Sequence, residues 1–300
     1  KEYDLDREIK PIRTGCFGLC EAGPIVIVYP EGTFYSHVTV SDIDEIVAEH
    51  LLKGRIVKRL LHQEKDVDHT VDMALDQIPF YKHQTRVALR NCGVIDPENI
   101  DEYLAFDGYK AMQKALLEMT PEQVIDTVSQ SGLRGRGGGG FPTGQKWKFA
   151  RASQGERKFV ICNADEGDHG AFMDRSVLEG DPHCVLEAMI INGYAIGANE
   201  GYVYVRAEYP IAVKRLGMAI DQAKEYGLLG KNILGSGFDF DIQIVRGAGA
   251  FVCGESTALM QSIEGNVGEP RAKYIHSVEK GLWGQPTILN NVETWANIPE

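Results

Sequence analysis

Five glycines fall within six residues at Gly135, Gly137, Gly138, Gly139 and Gly140, with Arg134 and Arg136 flanking the first and Lys146 just downstream. Glycine lacks a Cβ, so such a run lets the backbone take positive φ and approach a ligand closely. Successive N–H groups can then point inward as an anion-binding nest. The two guanidinium groups and the ammonium add positive charge where a phosphate would sit. The pattern reads as a phosphate cradle for a nucleotide-type cofactor. A flexible linker would carry Gly and Ser, but not Arg-Gly-Arg followed by Phe141-Pro142-Thr143-Gly144 and Trp147.

Gly135, Gly137 and Gly140 satisfy the G-x-G-x-x-G pattern, but the dinucleotide fingerprint must follow a strand and open a helix. Here the preceding segment reads as a helix over 121–130. Thr120 suits the N-cap, Pro121 the first helical position, and Val124, Ile125 and Val128 recur at helical spacing. No Gly-Lys-Ser/Thr follows at the Walker spacing, which speaks against a nucleotide-triphosphate enzyme. The cradle is of neither standard type.

Three other segments carry candidate binding groups. A strand over 158–163 runs into Asn163-Ala164-Asp165-Glu166-Gly167-Asp168, one amide and three acids that could bond ribose, ribityl hydroxyls or a heterocycle N–H. An acidic solvated turn is the plainer reading, but the position after a buried strand favours function. A strand over 241–246 leads into Gly247–Thr257, whose Gly254-Glu255-Ser256-Thr257 opens an apolar helical run. That helix N-terminus could face an anion, or Ser256 or Thr257 could simply cap it. Asn290-Asn291-Val292-Glu293-Thr294 adds two amides, although an Asn pair is usually a turn. Cys16 and Cys20, in a glycine-containing loop, are either half of a metal or iron–sulfur site or structural thiols. Cys92, Cys162, Cys184 and Cys253 read as buried small hydrophobes. His37, His50, His62, His69 and His83 show no ligand spacing and read as solvated.

These segments need a scaffold. The alternation of strands over 158–163, 201–206 and 241–246 with helices over 182–198, 210–226 and 256–263 argues for a parallel sheet with helices packed on it, an α/β fold. Residues 1–62 read as a small unit, with strands over 25–29 and 33–40 and a helix over 42–50 that turns Ile43, Ile46 and Val47 inward. Residues 63–119 read as a polar linker and helical lead-in, and 120–300 as the nucleotide-binding domain. The 300 residues are 43% hydrophobic and 25% charged, ordinary for a globular protein. A net charge of −12 argues against nucleic acid as the main partner. No apolar run is long enough to span a bilayer, no secretory signal opens the chain, and six unevenly spaced cysteines suit a reducing cytoplasm better than a disulfide framework. A start at Lys1 without Met and an end at Glu300 suggest a piece of a longer polypeptide.

Taken in order, LRGRGGGGFPTGQKW, NADEGD, GAFMDR, GAGAFVCGES, GLWGQPT and NNVETWANIP resemble the NADH-binding flavoprotein subunit of respiratory complex I. They resemble still more its relatives in multi-subunit NAD(P)-linked hydrogenases, electron-bifurcating ones included, and formate dehydrogenases. The resemblance covers roughly residues 86–300, and residues 14–62 resemble the second half of a thioredoxin-like 2Fe–2S ferredoxin. It implies FMN in a Rossmann-like domain with NAD(H) stacked upon it. Gly135, Arg136, Gly137, Gly138 and Lys146 would then hold the flavin phosphate region, and Asn163, Asp165 and Glu166 the flavin and ribityl groups. Gly254, Glu255, Asn290, Asn291 and Thr294 would close the site. Phe141 and Phe149 match adenine-stacking aromatics, Asp168 an acid beside the nicotinamide, and Lys273 a further cofactor contact.

Cys16 and Cys20 would be two of four 2Fe–2S ligands, the other two lying upstream of Lys1. A ubiquitin-like segment and 4Fe–4S cysteines are expected beyond Glu300. Ser256 stands where the family often has Glu, a change that weakens rejection of a 2′-phosphate and so the preference for NADH over NADPH. His276 stands where Phe is common, which alters adenine packing. The implied reaction is hydride transfer between NADH and FMN, then single-electron transfer to iron–sulfur clusters. Its partners would be an iron–sulfur subunit and a hydrogenase or formate dehydrogenase catalytic subunit, with no membrane insertion. The chemistry belongs to the cofactors, so no side chain is assigned as catalytic acid or base. The alternative is a non-catalytic NAD(H)-binding or cluster-scaffold module.

Overall fold

The structure is a computed structural model that describes residues 3, 5–14, 20–62, 79–272, 274 and 276–300. It divides into two compact units, one of residues 16–86 and the other of residues 1–15 with 87–300.

In the smaller unit, β1 (Val26–Val28) pairs antiparallel with β2 (Thr33–Tyr35), Val26 opposite Tyr35. Both strands are shorter than the sequence suggests. β1 is half-buried, and β2 stops before His37, which takes φ of 52°. The helix expected over 42–50 has one α turn, α1 (Ile43–Glu45), followed by a π-helical stretch, Ile46–Leu51. Widening the turn rotates the inward face: Ile46 and His50 are buried, whereas Ile43 is 42% exposed. His50 is therefore not solvated. Its Nδ1 lies 2.8 Å from the hydroxyl of buried Tyr35, and that hydroxyl accepts the Val57 N–H at 3.0 Å. Tyr35, Val38, Ile46, Val57 and Leu60 form this unit's core. A further helix is α2 (Pro79–Lys82).

The larger unit opens with α3 (Ile100–Ala105), α4 (Lys110–Glu118), α5 (Pro121–Gln130) and α6 (Thr143–Ala152). Thr120 and Gln123 cap α5 reciprocally, so the start read from Thr-Pro holds. Then come β3 (Phe159–Ala164), α7 (Met173–Gly180), α8 (Pro182–Ile196), β4 (Glu200–Val205), α9 (Pro210–Glu225) and β5 (Asp241–Arg246). α10 (Ser256–Ile263), α11 (Ser277–Lys280), β6 (Thr287–Asn291) and α12 (Val292–Ala296) complete it. β3 to β6 form one parallel sheet in the order β5–β4–β3–β6.

Alternation along β3 divides the core between the two faces of the sheet. Val160, Cys162 and Ala164 join the cluster that includes α8, while Phe159 and Ile161 pack with Leu259 and Met260 of α10. Nearly every residue of α8 is buried, because helices surround it as well as the sheet. Cys92, Cys162, Cys184 and Cys253 are all buried.

Glu187 of α8, 1% exposed, holds the α3–α4 turn. Its carboxylate accepts the Tyr103 hydroxyl at 2.6 Å, the Tyr109 N–H at 2.9 Å and the Met112 N–H at 3.0 Å. Tyr109 precedes α4 in the left-handed region, φ 62°, and its hydroxyl lies 2.9 Å from His183 Nδ1. Glu187 thus supplies from another helix the cap that α4 lacks locally. Glu187→Ala leaves three buried donors unpaired and should lower stability by about 3 kcal/mol, read from a denaturant melt of wild type against variant.

Candidate functional site

From β3 the chain steps through β4 to β5 on one side of the sheet, and β6 then lies on the other side of β3. The order reverses between β3 and β6, and such switch points mark the crevice where open α/β sheets bind ligands. Asn290 and Asn291, expected to form a turn, are instead the last residues of β6 and lie beside Cys162 and Asn163 at this edge.

The glycine loop is delivered here by α5 and α6. Its neck is closed by the Gly135 N–H on the Phe141 carbonyl and the Thr143 N–H on the Leu133 carbonyl, both at 2.9 Å. Arg134 Nε donates to the Gly140 carbonyl at 2.5 Å, so this guanidinium braces the loop from within. Gly138 and Gly140 take φ of 96° and 61°, the region that favours glycine. The far side of the loop rests on β6 and α12. The Arg136 N–H donates to Thr294 Oγ1 at 2.9 Å, and a Cβ on Gly137 would stand 3.2 Å from Asn291 Cβ. Lys146, in the second turn of α6, donates to the Leu289 carbonyl and, at 3.1 Å, to Asn290 Oδ1. Burial lowers its pKa to about 8.

At the end of β3, Asn163 Nδ2 donates to the Gly254 carbonyl at 2.9 Å and its Oδ1 accepts the Asp165 N–H at 3.0 Å. A side chain on Gly254 would press on the Asp165 carbonyl at 3.1 Å. Asp165 Oδ2 and Asn290 Nδ2 are buried with no hydrogen-bond partner among the described residues, one an acceptor and the other a donor. Burial also raises the Asp165 carboxyl above its usual range. Two unanswered polar atoms at adjacent strand ends are what a ligand-binding crevice leaves open.

Glu166 and Glu255 both accept from the N–H groups that begin helices beside the crevice. Glu166 accepts the Asp174 N–H at 3.1 Å, the Arg175 N–H at 3.2 Å and the Tyr209 hydroxyl at 3.1 Å, and so caps α7. Glu255 accepts the N–H groups of Thr257 at 2.8 Å and Ala258 at 3.1 Å. It, rather than Ser256 or Thr257, caps α10. Asp168 is exposed on the loop between β3 and α7. Phe141 and Phe149 are 48% and 46% exposed, with ring centroids 6.4 Å apart. Lys273 and Cys16 lie outside the described residues, as does the side chain of Cys20, which begins the short turn Cys20–Ala22. Asp174 does not stand out in the sequence, yet its buried carboxylate accepts Asn291 Nδ2 at 2.8 and 2.7 Å. An acid in the first turn of a helix reads only as favourable to the helix dipole. A cavity of 430 Å³ among α3, α4, α5 and α8 lies apart from this crevice.

Residues 128–300 match the Complex1_51K family, the Nuo51 FMN-binding domain. The chain belongs to this family. The NADP-reducing hydrogenase subunit HndC of Solidesulfovibrio fructosivorans is 63% identical over 218 residues, 73% of this chain and 44% of that protein. An NADH-quinone oxidoreductase subunit from Aquifex aeolicus is 59% identical over 201 residues, 67% of this chain and 47% of the relative. The chain thus spans about half the length of the curated relatives it matches. Among solved structures, an NAD+-reducing [NiFe]-hydrogenase in the H2-reduced state superposes with a TM-score of 0.61 at 28% identity, covering 95% of this chain and 44% of that one. The match in the FMN-binding family begins at Val128, so it contains the whole glycine loop and every strand of the sheet.

The Arg136–Thr294 bond should be separable from the rest of the site. Thr294→Val keeps the buried shape and removes the acceptor. Amide exchange across residues 134–142 should then quicken about fivefold, as loss of ~1 kcal/mol implies, with the exchange of β3 unchanged.

Proposed function

We propose that this crevice binds FMN and NAD(H), and that the chain is the nucleotide-oxidising flavoprotein segment of a multi-subunit oxidoreductase. The observation that carries the reading is the glycine loop and Lys146 brought together at the β3–β6 switch point. FMN suits the residues present. Its phosphate needs inward N–H groups and a cation: Gly137 and Gly138, whose N–H groups make no hydrogen bond among those described, offer the first and Lys146 the second, while the bonded N–H groups of Gly135 and Arg136 fix the loop's shape. Its polyol and ring need both acceptors and donors, and Asp165 Oδ2 and Asn290 Nδ2 are buried, unpaired examples of each.

When bound, FMN supplies exchange of a hydride with a nicotinamide and of single electrons with iron–sulfur clusters. The protein's share is binding and orientation. Asn163, Gly254, Asn290, Asn291 and Thr294 shape the crevice, while Glu166 and Glu255 hold the helices that wall it. Phe141 and Phe149 offer exposed ring faces on which an adenine stacks, with Asp168 and Lys273 as further nucleotide contacts. Lys146 neutralises the phosphate. Ser256, hydrogen-bonded to Glu255 at 3.0 Å, brings no charge of its own against a 2′-phosphate, so NADPH is accepted beside NADH. A name such as NADP-reducing hydrogenase among the relatives supports this and favours a hydrogenase partner over a formate dehydrogenase. A 2Fe–2S cluster on Cys16 and Cys20, a 4Fe–4S cluster elsewhere in the complex, and an iron–sulfur partner subunit complete the proposal. The buried thiols of Cys162, Cys184 and Cys253 suit the cytoplasm. Among the described residues no helix is long and apolar enough to cross a membrane.

The test is an anaerobic absorption spectrum of the purified protein during titration with NADH and then NADPH. A flavin band should bleach with stoichiometric NADH and, after reoxidation, with NADPH. Nucleotide binding without a flavin band would refute the redox reading and leave a binding module.

Lys146 gives a second check. Its ammonium loses charge as pH rises through about 8, and a bound phosphate raises its pKa again. FMN affinity of the flavin-free protein should therefore fall by up to about tenfold per pH unit above that value. Binding near pH 9 should take up a proton, read by calorimetry in buffers of different ionisation heat. Lys146→Met should abolish that uptake.

A further inference from the structure

We propose that Asp174 is a positioning residue for the phosphate cradle, holding the Asn291 amide in the one orientation that lets Asn291 and Thr294 seat the glycine loop. The proposal rests on the reading of the crevice as an FMN site. Asp174 lies in the first turn of α7, 6% exposed, and both its oxygens accept from Asn291 Nδ2. That leaves Asn291 Oδ1 to accept the Thr294 N–H at 3.3 Å and cap α12. Thr294 Oγ1 in turn accepts the Arg136 N–H, while Asn291 Cβ sets the closest approach of Gly137. The order is therefore Asp174, Asn291, Thr294, loop, and Asp174 makes no loop contact of its own among the hydrogen bonds described.

The amide orientation is what the carboxylate controls. An ionised Asp174 only accepts, so it selects the NH2 group of Asn291. A protonated Asp174 keeps one acceptor oxygen but can also donate, so it no longer selects the NH2 group, and the turned Asn291 with Oδ1 toward it becomes populated. In that turned orientation the Thr294 N–H faces an NH2 group, and the first turn of α12 loses its acceptor.

The groups around Asp174 place that change within reach of ordinary pH. Glu166 of the β3–α7 loop holds the Asp174 N–H, the Glu293 N–H of α12 donates to the carboxylate, and the Cys162 thiol of β3 lies near. The cations of the surrounding elements are engaged elsewhere. Arg175 of α7 pairs with Glu179, Arg215 of α9 donates to the Glu179 carbonyl, and Arg206 after β4 donates to the Glu166 carbonyl. Among the described residues no cation pairs with Asp174. Burial first and the Glu166 charge second, with the Glu293 charge of α12 adding to them, outweigh the Asn291 and Glu293 hydrogen bonds and raise its pKa to about 7.

The experiment measures FMN binding to the flavin-free full chain by quenching of flavin fluorescence at pH 8 and pH 6. Asp174→Ala should bind FMN about tenfold more weakly than wild type at pH 8. Asp174→Asn keeps the shape and one acceptor, so it tests the charge even if the alanine variant folds poorly. Wild type should lose about fivefold more affinity than Asp174→Asn between pH 8 and pH 6. The phosphate of FMN titrates equally in both and cancels in that ratio. Equal ratios, with a folded Asp174→Ala that binds as wild type does, would overturn the role of Asp174 and leave the flavin reading standing. A wild-type chain that binds no FMN would overturn the flavin reading instead. Amide exchange of residues 134–142 in flavin-free protein, compared at one pH, then decides the positioning role alone. Faster exchange in Asp174→Ala supports it, and unchanged exchange overturns it.

Discussion

The seating of the glycine loop against the end of β6 is the contact on which the rest of the site depends. A loop of five glycines has no side chains to hold it in place, and it loses more backbone freedom on ordering than any other sequence would. Its shape must come from its flanks and from the elements beneath it. A closed neck, the Arg134 brace, the Arg136–Thr294 bond and the contact of Gly137 with Asn291 supply it. The last two exist only because β6 crosses to the far side of β3, placing its end and the start of α12 beneath the loop. The topological switch that opens the crevice is also what supports its wall.

The acids of this region fall into two kinds, and the division is physical. Glu166 and Glu255 use their oxygens on the N–H groups that begin α7 and α10, where a helix leaves donors unpaired and carries partial positive charge. Asp165 and Asp174 are harder to keep ionised, since burial raises both. Asp174 is offset by hydrogen bonds from Asn291, whereas Asp165 leaves one oxygen unanswered. A carboxylate that faces no donor inside a fold is either strained or waiting for one from a ligand. At a strand end beside the loop, the second account fits the first without further assumptions.

Much of this is readable from residue types. The Thr120–Pro121 start of α5 and the strands β3, β4 and β5 follow from capping and apolar runs, and β5 and α10 fall within the expected bounds. β6 is hidden because its local signal is misleading. Only Ile288 and Leu289 are strongly apolar, and two asparagines follow where a turn is the common outcome. Pairing with β3 overrides that preference, a tertiary effect that local propensity does not carry. The cap of α10 departs from expectation for a related reason. Ser and Thr are good caps, but the longer Glu255 one residue earlier reaches two N–H groups. In the smaller unit, His50 reads as solvated because nothing local distinguishes it. The π-helical turn that rotates it onto Tyr35 has no composition signal.

On the proposed reading a bound cofactor supplies the chemistry, which is why no side chain is assigned as catalytic acid or base. The protein's own contribution is where atoms are held, and errors of an ångström there matter more than the identity of any one contact. The residues that decide such placement need not touch the ligand. Glu166, Glu255 and Asp174 each act on a helix start or an amide that in turn shapes the crevice. That is why the motifs extend beyond the loop itself. The acid of GAFMDR and the amides of NNVET are distant in sequence, yet one hydrogen-bonded pair makes them a single support.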